Sequence, residues 1–167
     1  MGQPSSGAID TFLTANATYV EGFPEPHDRE PELHVAVLAC MDSRLALFGA
    51  LGLRIGDAHL VRNAGGIATP DTLRSLAISQ RKLNTREVAV IQHTDCGMLD
   101  FDDARFRAEL AAESGQQPPW DVPGFTDVEQ SVRDSVAAIR SCPWLVHRDS
   151  VRGFVFDVRT AEITEVR

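Results

Sequence analysis

Leu33-His34-Val35-Ala36-Val37-Leu38-Ala39-Cys40-Met41-Asp42-Ser43-Arg44 opens as an almost unbroken apolar run and breaks into a polar motif. A half-exposed strand would alternate polar and apolar residues. A continuous run of this length reads instead as a strand buried on both faces, the habit of parallel sheets covered by helices. About fifty residues later the arrangement recurs: Val88-Ala89-Val90-Ile91-Gln92 leads into His93-Thr94-Asp95-Cys96-Gly97. If the two runs are neighbouring parallel strands, their carboxyl ends meet, and two thiols and an imidazole converge on one point.

The segments around these runs support that arrangement. Ile9, Phe12, Leu13, Ala17 and Val20 recur at helical spacing and predict an N-terminal helix over 8–22, closed by Gly22 and preceded by a disordered leader at 1–7. A charged, Pro-containing link from Phe23 to Pro31 follows. Leu45–Leu51 reads as a short helix stopped by Gly52, and Ala58–Arg62 as a second strand running into Asn63-Ala64-Gly65-Gly66. Thr69-Pro70 supplies an N-cap and a first-turn proline for a helix reaching Leu83. Phe101–Ser114 is read as helix and Gln116–Phe125 as loop. Thr126-Asp127-Val128-Glu129 has the form of a capping box for a helix ending near Cys142-Pro143. Val151–Val158 and Glu162–Val166 complete the chain as a strand and hairpin. Strands alternating with helices define an α/β fold: a mainly parallel β-sheet flanked by helices, with a C-terminal strand/hairpin, in a single domain over 1–167. In such sheets ligands bind at the carboxyl ends of the strands, where both motifs fall.

Composition narrows the function. The 167 residues are 43% hydrophobic and 24% charged, with 24 acidic against 16 basic residues and a net charge of −8. Without a cluster of Lys and Arg, no nucleic acid partner is expected, because phosphate binding draws on concentrated positive charge. No run approaches the roughly 18–20 apolar residues of a membrane helix, so no membrane partner is expected either. The polar N-terminus lacks the apolar segment of a secretory signal, and a cytoplasmic location is the expectation. In a reducing compartment, three cysteines with a nearby histidine read as metal or catalytic chemistry before disulfides. Cys142, far from both motifs, reads as a small buried thiol.

Thiolate and imidazole are the ligands that zinc prefers. His93-x-x-Cys96 is a tight turn able to direct two side chains to one centre, and Cys40 arrives from the adjacent strand end. A structural zinc site would use a fourth Cys or His; here the fourth position falls to water or a carboxylate, which makes the site catalytic in kind. Asp42, two residues beyond Cys40, points to the same side in extended chain, and Arg44 continues the alternation. Asp42 can orient a zinc-bound hydroxide or ligate the zinc itself, and Arg44 can hold that carboxylate through a bidentate pair. Asp95 is read as shaping its turn, Met98 as packing near the pocket mouth, and His59 and His147 as structural or surface residues.

Taken together, Cys40-x-Asp42-x-Arg44, Arg62-Asn63-Ala64-Gly65 and His93-x-x-Cys96-Gly97 resemble the β-class carbonic anhydrases, over a stretch from about Leu33 to the end of the chain. The short length is similar to compact actinobacterial-type members. The resemblance implies one Zn²⁺ per subunit held by Cys40, His93 and Cys96, with Asp42 as a possible further ligand and Asp42 and Arg44 as the catalytic dyad. It implies reversible hydration of CO₂ to bicarbonate and a proton by zinc-hydroxide attack, in a homodimer or homotetramer whose clefts are partly lined by the neighbouring subunit. Gly97 is assigned to substrate binding. Arg62 matches an arginine of a regulatory bicarbonate site, although Val37 stands where members with that site carry tryptophan. The same motif set also serves carbonyl sulfide and carbon disulfide hydrolases, which are the alternative reading. A non-catalytic zinc or bicarbonate-sensing module is a third, opposed by the intact Asp42 and Arg44.

Overall fold

The computed structural model of the protein describes residues 7–23 and 28–167. The leader expected over 1–7 lies, apart from Gly7, outside the described residues, as does the middle of the link after Phe23. Five strands form one sheet: β1 (Val35–Cys40), β2 (Ala58–Asn63), β3 (Glu87–His93), β4 (Val151–Phe156) and β5 (Ile163–Val166). Their order across the sheet is β2-β1-β3-β4-β5; the first four run parallel, and β5 closes an antiparallel hairpin with β4. The α/β architecture expected of the sequence is the observed one.

The helices are α1 (Asp10–Glu21), α2 (Leu47–Leu51), α3 (Pro70–Leu83), α4 (Asp103–Ser114) and α5 (Val128–Ser141). Alternation along each strand splits the core into two layers. Ala36 and Leu38 of β1 join Val88, Val90 and Val151 beneath Leu76 of α3 and Ile139 of α5. Val37, Ala39, Ile91 and Phe156 face the other way, against Leu45, Leu47, Met98 and Phe125. α5 lies close on the sheet because Gly153 of β4 sits below it; a Cβ there would collide with Val132. By contrast α1 buries none of its residues in this chain, and Ile9, Phe12 and Leu13 are 76%, 62% and 80% exposed.

Several boundaries differ from expectation, α2 starting at Leu47 rather than Leu45 and β4 ending at Phe156 rather than Val158, and local chemistry accounts for three others. β1 begins at Val35 rather than Leu33, because His34 takes a left-handed φ of 51°. Its carbonyl turns to accept from the Arg86 N–H at 2.7 Å. α4 starts at Asp103, since Asp102 caps it by accepting from the Arg105 N–H. α5 is capped by Asp127, which accepts from the Gln130 N–H, so the capping residue is one position later than the Thr126 box implied. A carboxylate outcompetes the threonine hydroxyl here because its charge also suits the helix N-terminus.

The topology creates one crevice. From β1 the chain passes outward to β2, then returns through α3 to β3 on the opposite side of β1. Connections that leave in opposite directions part at the carboxyl ends of β1 and β3, a switch point of the kind that binds ligands in open α/β sheets. The loop after β2 presses into this crevice. Asn63 ties it by donating to the Ile67 carbonyl and accepting from the Ile67 N–H, at 2.8 and 2.9 Å. Gly66, at φ 65°, lies so near β1 that a Cβ would stand 2.7 Å from the Cys40 nitrogen and 2.9 Å from the Ala39 carbonyl carbon. Replacing it therefore combines backbone strain with a clash against chain that cannot yield. Gly66→Ala is expected to destabilise the fold by about 2–5 kcal/mol, read as a shift of the urea midpoint, whereas Gly97→Ala, with open space around its Cβ, leaves that midpoint within error.

Candidate metal centre

Cys40 ends β1 and His93 ends β3, and parallel pairing of Ala39 with Ile91 brings the two ends abreast. Beyond His93 the chain turns through Asp95, at a left-handed φ of 55°, and returns Cys96 to the same point. The turn is pinned to β4: the Thr94 N–H donates to the Phe156 carbonyl, and the Thr94 hydroxyl accepts from the Val158 N–H. All three side chains are buried, and their ligand atoms lie within 4.8 Å of one another.

Two observations fit this triad to a metal. The Cys40 and Cys96 sulfurs are 3.9 Å apart, close to the roughly 3.8 Å between two thiolates on a tetrahedral zinc with Zn–S of about 2.3 Å. His93 Nδ1 donates to the Thr94 carbonyl at 2.9 Å, a group that can only accept, so the lone pair resides on Nε2. Nε2 is buried and has no hydrogen-bond partner. A buried lone pair facing two thiols carries a desolvation cost that a cation would remove. The donor set suits zinc, and among the described residues no other His, Cys, Asp or Glu group gathers in this way.

The protons of the triad are unevenly held. Burial opposes ionisation of Cys40, but the neighbouring His93 and the backbone N–H groups of Asp42 and Gly65 outweigh it and bring the thiol down to about 7. Burial raises Cys96 to about 11, reinforced by the charge of Cys40 and only partly offset at the Met98 backbone. For His93 burial favours the neutral ring, yet the adjacent Cys40 and the Thr94 carbonyl together raise its pKa.

Asp42 stands at the rim, with Oδ2 3.8 Å from His93 Nε2. Arg44 grips it through both fork positions, Nε to Oδ1 at 3.0 Å and Nη2 to Oδ2 at 2.8 Å. Those bonds hold the Asp42 carboxyl well below the usual carboxylate range. Arg44 also donates from Nη1 to Asp95 Oδ2 at 2.7 Å. Arg62 donates to the Cys40 and Asp42 carbonyls at 2.9 and 2.6 Å, so it clasps the backbone that carries the first ligand. Gly97 follows Cys96 at the surface with open space around it. Met98 is buried beside Cys40 and Cys96. His59 engages Ser79 and Cys142 lies in the opposite core layer, so neither joins the triad. His147 meets Gln80 through its backbone. Two contributors escaped the sequence reading: the bond from Asp95 to Arg44, and the seating of Gly66 against Cys40. An aspartate lodged between two ligands was the available signal for the first; the second arises only when β2 and β1 pack.

Comparison with known proteins agrees with this geometry. The family model described as carbonic anhydrase matches residues 35–121. The chain is 45% identical to β-carbonic anhydrase 1 of Mycobacterium tuberculosis over 157 residues, covering 94% of this chain and 96% of that one. It is 32% identical to a carbon disulfide hydrolase of Acidithiobacillus thiooxidans over 148 residues, covering 76% and 74%. Among solved structures, a carbonic anhydrase from Streptococcus mutans superposes with a TM-score of 0.90 at 39% identity, covering 98% of this chain and all of that one.

Metal uptake must displace the protons described above. Zinc competes with them, so apparent affinity falls as pH falls. Between pH 9 and 7.5 the loss is expected to be at least about tenfold per unit, from the proton on Cys96, and it steepens below about 7 as Cys40 takes one too. Chelator-competition titrations across that range check this, and a pH-independent affinity would contradict the assigned proton inventory.

Proposed function

This chain belongs to the carbonic anhydrase family, and from that premise we propose that it hydrates CO₂ reversibly to bicarbonate and a proton at one zinc ion per subunit. The observation that carries the proposal is the buried, partnerless Nε2 of His93 facing the Cys40 and Cys96 sulfurs. Cys40, His93 and Cys96 are the metal ligands. The bound zinc supplies Lewis acidity, which makes water a competent nucleophile near neutral pH.

The remaining chemistry belongs to the chain's own side chains. Asp42 is the catalytic acceptor: kept ionised by Arg44, it takes a hydrogen bond from the attacking solvent molecule and aims its lone pair at CO₂. An acceptor-only carboxylate is suited to this, since it cannot compete by donating. Arg44 fixes the direction of that acceptor through a two-point fork. At 3.8 Å from His93 Nε2, Asp42 is also near enough to become a fourth ligand when Arg44 lets go. Gly97 leaves the substrate room beside Cys96. Arg62 steadies Cys40 and Asp42 through their carbonyls, and any regulatory part it plays would be transmitted through those two bonds.

The acting unit is proposed to be the single domain 1–167 in a homodimer or homotetramer. Supporting this, the apolar face of α1 is unburied within the chain and β2 presents an open sheet edge, surfaces that a protein normally covers. No helix among the described residues is long and apolar enough to cross a membrane. Three free cysteines suit the reducing cytoplasm that we assign to it.

The carbon disulfide hydrolase relative favours one further reading, hydrolysis of CS₂ or carbonyl sulfide at the same centre. Parallel stopped-flow CO₂ hydration and sulfide-release assays on zinc-loaded protein separate the two. CO₂ hydration is expected to dominate, and full zinc with sulfide release alone would reverse the assignment. Asp42→Ala is expected to retain zinc while kcat/KM falls about 10–100-fold; Cys96→Ser loses both zinc and activity.

A further inference from the structure

We propose that Asp95 is a positioning residue of the zinc site, bracing Arg44 so that Asp42 stays off the fourth metal position. The inference rests on the zinc reading above.

Arg44 offers five N–H groups in a rigid plane. One edge serves Asp42, as described. The far side serves Asp95: Nη1 donates to its Oδ2 at 2.7 Å, and Nη2 donates to its backbone carbonyl at 2.8 Å. Nε goes only to Asp42 and Nη1 only to Asp95, while Nη2 has a hydrogen for each. The two aspartates therefore do not compete for the same donors, and each bond helps to orient the plane for the other.

The connectivity gives the brace its effect. Asp42 and Arg44 are two residues apart on one loop, so their pair can move as a unit toward the ligands. Asp95 belongs to the other motif, 51 residues away along the chain. It occupies a turn flanked by His93 and Cys96 and pinned to β4 through Thr94. Arg44 thus ties Asp42 to the frame that carries two of the ligands. Asp95 is 68% exposed in its side chain, so the ion pair by itself contributes little stability. Its contribution is directional: with Arg44 held from both sides, Asp42 must abandon a complete fork before it can swing the short distance to the metal.

The test uses the cobalt-substituted protein at fixed pH and reads azide binding by visible absorption. Azide reports how often the fourth position is free, because the apparent affinity scales with that fraction. Asp95→Gly removes the carboxylate, keeps the carbonyl, and tolerates the φ of 55° without strain. It is expected to weaken azide binding about fivefold or more. Asp95→Asn still presents an oxygen to Nη1 and is expected to stay within about twofold of the parent. In an Asp42→Ala background, Asp95→Gly is expected to change nothing, since the carboxylate it restrains is gone. Unchanged azide affinity on Asp95→Gly would overturn the proposal. An equal loss in the Asp42→Ala background would also overturn it, assigning Asp95 to the turn alone. A parent protein that takes up no cobalt would instead overturn the zinc reading on which the proposal stands.

Discussion

Parallel pairing of β1 with β3 is the constraint on which the site depends. It sets Ala39 against Ile91, so Cys40 and His93 end their strands abreast, and the departure of the chain in opposite directions opens a crevice between them. A shift of one residue in that register would turn Cys40 to the other face of the sheet. The two core layers guard against it: Ala36 and Leu38 are buried on one side, Val37 and Ala39 on the other. Burial on both faces makes any slip costly throughout the strand. The precision of the metal site is therefore inherited from the packing of the sheet.

A second layer of organisation holds the polar groups in place. Two segments approach Cys40: the end of β2 with its following loop, through the Arg62 guanidinium and Gly66, and the turn from His93 to Cys96. Each contact is to backbone or to a buried side chain, so none relies on an exposed ion pair for its strength. Arg44 completes the arrangement by bonding to both motifs at once. One carboxylate stays ionised at the rim while the two thiols differ in acidity, Cys40 near 7 and Cys96 near 11. Two identical side chains less than 4 Å apart acquire opposite tendencies because His93 and two donating N–H groups outweigh burial at Cys40, whereas burial dominates at Cys96.

The chain belongs to the carbonic anhydrase family and is also similar to a protein named for carbon disulfide hydrolysis. CO₂ and its sulfur analogues are linear and nearly apolar, so they offer a protein few groups to recognise. Discrimination between them falls to the shape and access of the surrounding walls. Met98 is one residue packed beside Cys40 and Cys96, and a motif of five residues carries no record of the shape around it.

Much of this was legible in the chain. The apolar runs, their polar endings, and the alternation with helices at Thr69-Pro70 and after Asp127 identified an α/β fold and its sheet, because local propensity and burial pattern act over a few residues at a time. The clustering of Cys40, His93 and Cys96 was equally readable, since both motifs follow apolar runs that pair as neighbouring strands. Strand alternation suggested that Asp42 and Arg44 share a side, but β1 ends at Cys40 and their bidentate pair forms within the turn beyond it. Other features were beyond a linear reading. β1 begins late, at Val35, because His34 takes a left-handed turn and bonds to Arg86, and Asp127 rather than Thr126 caps α5 because of its position at the helix entrance. The bond from Asp95 to Arg44 joins residues 51 apart. The seating of Gly66 on Cys40 joins segments 26 apart. Sequence determined which groups could bind a metal and which elements would carry them. Tertiary structure decided which groups share a donor, which proton each holds, and how Asp42 is restrained, because those depend on distances across a packed sheet rather than on spacing along a chain.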